Sequence, residues 1–364
     1  MKKDRNLSRS RRSPSSQLKI KKTHKGKQKK NRNSQTSSFN TNSQSQEKQL
    51  NFREEGKLLY FIQKLEAEKE KKGICLKLSH LSIQDTQSTV TINNDLNHSQ
   101  LRRQIEYSNY YHQEFQQSII DENVYLGDCL ENQKISHQLR AKMIDWMIEV
   151  LGNYSETTSD ATFFRSVAIM DYYLQKSITQ YSDNHLHLIG ITSMFIATKL
   201  EDIHHIPLQD FVVRVSHNKY TASKIKAMEQ TILETLNFEI TFPTSLDFLH
   251  NIFYQCFSLN HNPNLQNILE ASTYILKLCL HDYSMISFNS NTLASSSFIY
   301  SINFFLNQHK LPNQKLIISQ FNNKIVQISQ IDLNDLYLCQ KKIEDLINTF
   351  QIKYPEFHNL EKFL

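Results

Sequence analysis

An all-α fold is what this sequence predicts: two tandem five-helix bundles, preceded by an N-terminal helix and a disordered basic tail. Three observations carry that expectation. Gly and Pro number six each in 364 residues, too few for the many tight turns of a hairpin-rich sheet protein. Apolar residues recur at helical spacing in segment after segment from residue 136 to residue 350. The pattern stops at Phe242-Pro243 and restarts with similar length, which suggests a duplicated helical unit. The expected divisions are a tail over 1–104 with a short helix at 58–71, a first bundle with its leading helix over 105–241, and a second over 242–364.

The tail is basic, then rich in Ser, Asn and Gln, with few aliphatic residues to bury. Residues 1–33 hold 14 of the 42 Lys and Arg, leaving 28 against 35 acidic residues in the rest of the chain. A mildly acidic body therefore carries a basic arm. The runs RSRR from Arg9 and KIKKTHKGKQKKNR from Lys19 have the composition of nuclear-import patches. Ser13, between Arg12 and Pro14, is a candidate phosphosite whose modification would weaken the patch.

Leu139 to Val150, LRAKMIDWMIEV, is the stretch around which the rest is organised. It holds the only tryptophan, Trp146, and no Gly or Pro. Its apolar stripe is too wide for a surface helix, so Arg140, Asp145 and Glu149 need partners elsewhere or line a surface that another protein covers. Ser136 is placed to cap this helix, which should run to about Tyr154. Thr157 or Thr158 opens the next, ending near Ser177. His185 to Leu200 is apolar nearly all round, with small Gly190, Ser193 and Ala197, and reads as a central helix. A short helix over 210–215 and a longer one over 221–236 complete five. The second set starts at Leu246, Leu265, Phe288, Leu316 and Leu333. Ahead of both, IEYSNYYHQEFQQSIIDENVYL reads as one leading helix or two short ones.

Five scattered cysteines without a CxxC argue against a disulfide framework or zinc site and fit a reducing compartment. No signal peptide or apolar run of membrane-spanning length is evident, so a soluble intracellular protein is expected. There is no Gly-rich phosphate loop, HExxH or nucleophile elbow, so no enzyme and no cofactor are expected. His185, His187, His204 and His205 lack a second ligand pair and read as packed or surface residues.

Several motifs, in order, resemble the cyclin family. LRAKMIDWMIEV is similar to its first-box helix, patterned MRAILVDWLVEV. IGITSMFIATKLEDI resembles VGxxAMLIASKYEEI, and TASKIKAMEQTILETLNFEITFPTSLDFL resembles the fifth helix and linker. HDYSMISFNSNTLASSSFIYSINFF resembles the second box of the A/B-type, G2/mitotic-like group. The resemblance implies two tandem cyclin boxes and a non-catalytic regulatory subunit that forms a heterodimer with a serine/threonine cyclin-dependent kinase. Such a kinase alone holds its αC helix outward, and a cyclin packs against that helix and favours the active arrangement. The chain would then act in nucleus and cytoplasm to control cell-cycle progression.

The hallmark positions of the family correspond to Arg140, Asp171, Leu188, Lys199 and Glu229. The resemblance places Arg140, Asp171 and Leu188 in structural roles and Lys199 and Glu229 toward the kinase, with Leu200, Glu201, Ile203, Leu233 and Phe238 as further kinase-binding positions. Phe195 and Ile240 are added as apolar contributors. It also implies a groove that docks Arg-x-Leu peptides of substrates or inhibitors, at Leu139, Lys142, Met143, Trp146, Glu149 and His187. Two of these depart from the pattern: Lys142 stands where the family usually has isoleucine, and His187 where glutamine is common. The tail carries no RxxL or KEN destruction motif. The alternatives are a transcription-type cyclin and a nucleic-acid-binding use of the fold, as in general transcription factor IIB. The latter needs a basic helical body and usually a zinc ribbon, whereas this body is acidic, so no specific nucleic acid is expected.

Overall fold

The computed structural model describes residues 127–257, 263–308 and 314–362. Their regular elements are helical apart from one isolated bridge between Lys134 and Ser182. The basic tail, Ser13, the short helix at 58–71 and the leading helix lie outside the described residues.

Helix α1 (His137–Gly152) begins where its cap predicts: Ser136 Oγ accepts from the Leu139 amide at 3.2 Å. Helix α2 (Asp160–Lys176) begins later than expected. The Thr157 and Thr158 hydroxyls donate back to the carbonyl of Tyr154, and Thr158 also to that of Leu151, so they close α1 instead of opening α2. Helix α3 (Asp183–Glu201) buries Leu186 and then every residue from Leu188 to Thr198, the all-round burial expected of a central helix. It packs on α1, α2 and α5. Gly190 admits that packing: a Cβ there would lie 2.0 Å from the Met143 Cε.

The predicted short helix is a single turn, α4 (Leu208–Asp210), running into a π turn over Phe211–Val215. Helix α5 (Ala222–Thr235) is capped by Thr221, which accepts from the Lys224 amide. The second bundle comprises α6 (Ser245–Phe257), α7 (Pro263–His281), a 3-10 turn over Tyr283–Ser287, α8 (Ser290–Gln308), α9 (Gln314–Ser329), α10 (Leu333–Lys353) and short α11 (Asn359–Lys362). Helix α8 takes the place that α3 has in the first, packed on α6, α7, α9 and α10. Its Ser295, Ser296, Ser297 and Ser301 are buried small residues, while Phe298 packs edge-on against Phe253 and Phe257.

Helix α1 belongs to both bundles. It packs on α3 and α2 of its own, and on α7 and α11 of the other. Phe357 and Leu360 bury themselves in the C-terminal turn that reaches it. Polar ties cross the same seam: Arg140 Nη1 donates to the Leu280 carbonyl at 2.9 Å, and Lys277 Nζ pairs with Asp160 at 2.6 Å. Among the described residues no helix is long and apolar enough to cross a membrane.

Candidate functional site

Three constellations come from the expected site residues. The first is buried. Arg140 makes a two-pronged pair with Asp171, Nε to Oδ1 at 2.8 Å and Nη2 to Oδ2 at 2.5 Å. Burial by itself would weaken the Arg140 cation, and the adjacent Asp171 carboxylate offsets this and holds its pKa above the ordinary value. Cys129 donates to the same carboxylate, and the Arg140 guanidinium lies over the Tyr283 ring. Tyr283 donates to Asp128 and accepts from the Leu130 amide. Leu188 is buried in the core of α3. Arg140 thus ties α1 to α2 and to the second bundle.

The second constellation is at the surface. Lys199 at the end of α3 pairs with Glu229 on α5, and its ammonium sits 4.2 Å from the centre of the Phe195 ring. Around this pair the exits of both helices carry exposed apolar residues: Leu200, Ile203 at 94% exposure and Phe238 at 67%. Leu233 and Ile240 are half-buried against the core, and Phe195 is buried beneath Lys199.

Phe238 is held there by backbone that does not suit it. Helix α5 ends in a Schellman-type turn, with the Phe238 amide donating to the Leu233 carbonyl at 2.8 Å and the Asn237 amide to that of Glu234 at 3.1 Å. Asn237 and Phe238 have φ of 50° and 62°. Left-handed backbone costs an aromatic residue on the order of 1–2 kcal/mol. Strain of this kind persists where the surroundings over-determine it, and it clusters at functional sites.

Glu201, beside Leu200 at this exit, is half-buried: its Oε1 accepts from Arg165 Nε at 2.6 Å, and its side chain is 21% exposed.

The third constellation runs along α1. Trp146 and His187 pack with ring centres 4.9 Å apart, and His187 Nδ1 lies 3.3 Å from the Tyr220 hydroxyl. Burial, and secondarily the charge of Lys219, push the His187 pKa down, so the ring is neutral at pH 7. Met143 is buried, seated on Gly190, while Leu139 and Glu149 are half-exposed. Lys142 is exposed, and its ammonium lies 3.3 Å from Glu356 in the C-terminal segment.

Four residues around these constellations are not singled out by any motif of the sequence. Arg165 stands alone in an apolar run of α2, which was its only signal. Tyr283, His281 and Asn359 act on α1 from the second bundle, at separations in sequence that no local pattern reveals. Asn359 Nδ2 donates to Asp145 Oδ2 at 2.7 Å, which supplies the partner that buried Asp145 lacked. Of the histidines first weighed as ligands, His185 closes a capping box with Ser182, and no group of three metal-binding side chains occurs among the described residues.

Two successive helical bundles with Arg140 locked to Asp171 and a Lys199–Glu229 pair at the surface define a cyclin-type fold. Residues 106–241 match the family Cyclin, N-terminal domain, and residues 243–360 match Cyclin, C-terminal domain. The chain belongs to the cyclin family. It is similar to G2/mitotic-specific cyclin-B of Patella vulgata, 27% identical over 223 residues, which is 61% of this chain and 49% of the relative. It is also similar to G2/mitotic-specific cyclin-B1 of Caenorhabditis elegans, 31% identical over 183 residues, 49% of either chain. The match thus spans less than half the length of these relatives. A viral cyclin from herpesvirus saimiri has the same fold, with a TM-score of 0.54 at 15% identity over 69% of this chain and 99% of that one.

Proposed function

We propose that this cyclin binds and activates a serine/threonine cyclin-dependent kinase and contributes no catalytic group of its own. The observation that carries the proposal is the Lys199–Glu229 pair set among exposed Leu200, Ile203 and Phe238. The pair stands at the rim of the fold, with the Lys199 side chain 37% exposed and that of Glu229 16% exposed, so its Lys199 end is open to a partner. Exposed apolar side chains stabilise a complex by roughly 25 cal/mol per Å² of apolar surface that it covers, most here at Ile203 and Phe238. On the kinase, the pair would exchange its internal bond for main-chain groups around the αC helix. Leu200, Ile203, Leu233 and Phe238 would supply the apolar surface that favours the inward position of that helix. Glu201 serves this surface from behind, through Arg165.

The likeness to relatives named G2/mitotic-specific supports a role in cell-cycle progression on the mitotic side. The row Leu139, Lys142, Met143, Trp146, Glu149 and His187 would dock Arg-x-Leu segments. The basic runs of the tail would direct the complex to the nucleus as well as the cytoplasm, with Ser13 as the site of control.

The test uses a purified cyclin-dependent kinase subunit and a Ser/Thr-Pro peptide substrate. Added full chain should raise phosphorylation, and Lys199→Ala with Glu229→Ala should abolish the rise while leaving the chain folded. Undiminished activation by the double variant would overturn the proposed surface.

A further inference from the structure

Arg165 is a buried arginine that neither the core nor the expected interface accounts for. It lies on α2, with its side chain 8% exposed. Its five donors reach three separate pieces of the chain. Nε donates to Glu201 Oε1 at 2.6 Å, at the last residue of α3. Nη1 donates to the carbonyls of Ile240, at 3.4 Å, and of Phe242, both in the linker between the bundles. Nη2 lies 3.5 Å from Asp247 Oδ2 on α6, and the guanidinium sits over the Phe242 ring at 5.6 Å. Asp247 is itself fixed, accepting from the Thr244 amide at 2.8 Å and its hydroxyl at 2.7 Å. One turn earlier on α2, Thr162 donates to Asp202 at 2.6 Å, so the same helix grips both acidic residues at the α3 exit.

The pieces that Arg165 joins are the two flanks of the candidate kinase surface. Glu201 lies between Leu200 and Ile203 in sequence, on the Lys199 flank. Ile240 lies two residues beyond Phe238, on the flank that leaves α5. A planar fork of five fixed donors can reach a carboxylate and two carbonyls spread around it; a lysine offers three donors from a single point and a methionine none. We propose that Arg165 is a positioning residue for kinase binding: it sets the register of the α3 exit against the linker, and through Asp247 it makes that register depend on the second bundle. The proposal rests on the kinase-binding reading above. It implies that the second bundle acts on the kinase surface through this link.

The full chain and three variants, Arg165→Met, Arg165→Lys and Asp247→Asn, would be titrated with a purified cyclin-dependent kinase well below their unfolding temperatures. Hydrogen exchange of the free chains would be followed alongside. Arg165→Met should weaken kinase affinity about tenfold, the size of a typical coupling between separate sites. Arg165→Lys should recover only part, since it restores charge without the fork. Asp247→Asn keeps Arg165 on Glu201 and loosens only the link to α6. It should weaken binding less and speed amide exchange over 238–242. If Arg165→Met does not fold, Asp247→Asn carries the test. Folded variants that bind within about twofold of the parent, while Lys199→Ala with Glu229→Ala loses binding, would overturn the role of Arg165 and leave the surface standing. A parent chain that binds no kinase overturns the underlying reading instead, and with it this role.

Discussion

Asp145 Oδ1 and His281 Nε2 face one another across the seam between the two bundles, 3.9 Å apart, and neither atom has a hydrogen-bond partner among the described residues. The reason lies in the other ring nitrogen. His281 Nδ1 is 2.7 Å from the Lys277 carbonyl, which can only accept, so Nδ1 carries the proton and Nε2 is a bare lone pair. An acceptor thus meets a carboxylate, with Arg140 nearby and the rings of Phe350 and Phe357 around the imidazole.

This pair predicts a pH dependence with a definite sign. Burial pushes the His281 pKa down to about 4, with Arg140 adding to the shift. Below the usual 6.5 the unfolded chain takes up a proton that the native chain refuses, so stability falls as pH falls, until the native ring also titrates near 4. Between pH 7.5 and 5 the loss from this one group is roughly 2 kcal/mol. Burial also lowers the His187 and His250 pKa values, which adds loss in the same direction. Asp145 acts oppositely. Burial raises its pKa, so the native chain gains a proton first and regains some stability in the acid range above the ordinary 3.8. Urea denaturation of the parent and His281→Gln at pH 7.5 and 5 checks this. The variant should show a smaller drop between the two pH values, and an equal drop would remove His281 as a cause.

The Arg140–Asp171 pair predicts a non-additive double substitution. Arg140→Met leaves a buried carboxylate without its cation and should cost about 3–5 kcal/mol. Asp171→Asn should cost a similar amount for the mirror reason. Together they should cost less than the sum, because no uncompensated charge remains. Recovery will be incomplete, since Arg140 also serves the Leu280 carbonyl. Denaturation midpoints of the four chains measure the coupling, and simple additivity would mean that the pair is incidental.

What sequence could and could not reveal follows from where each signal resides. The helical period is local, so α1, α3 and α5 were legible to within a few residues. Caps at Ser136 and Thr221 are equally local and were legible for the same reason. Thr157 and Thr158 misled because a hydroxyl that can cap the next helix can also close the last one. Lys199 and Glu229 were legible through family motifs, whereas the strained backbone beneath Phe238 was not, because Asn-Phe carries no glycine to announce it. The surroundings of Asp145 were out of reach. Its partner Asn359 and its unbonded neighbour His281 come from the far bundle, and only the folded seam sets them beside α1.

Gly190 ties the core to the docking row. A methyl at this position would lie 2.0 Å from Met143 Cε and 3.1 Å from Met147 Cε, so the Met143 thioether end must swing away while Met147 gives by only a few tenths of an ångström. Overpacking of this kind costs about 1–3 kcal/mol, and the greater helix preference of alanine returns about 1. Gly190→Ala should therefore fold with a small loss of stability and a displaced Met143 methyl, visible as a shifted methyl resonance. Arg-x-Leu peptide binding should change while kinase binding does not. A Met143 resonance that stays in place would show that the thioether is not seated on this glycine.

Lys142 is the position where the docking row departs from its family, and the structure gives the departure a partner. Its ammonium is drawn to Glu356, with both side chains more than 60% exposed. The pair therefore adds little to stability, and its consequence is electrostatic. With Glu356 present, the lysine charge is offset and the stem can lie along the groove. Without Glu356, an unpaired cation faces the arginine of an incoming Arg-x-Leu peptide. Glu356→Ala should thus weaken peptide binding by about threefold at low salt, and less at high salt, where screening acts within about 3–10 Å. Lys142→Ile should strengthen binding by enlarging the apolar surface, and in that background Glu356→Ala should have little further effect. Fluorescence anisotropy with a labelled peptide measures all four chains. If both single substitutions leave the affinity unchanged, peptides do not dock along this face of α1, and Lys142 is free to vary because nothing is recognised there.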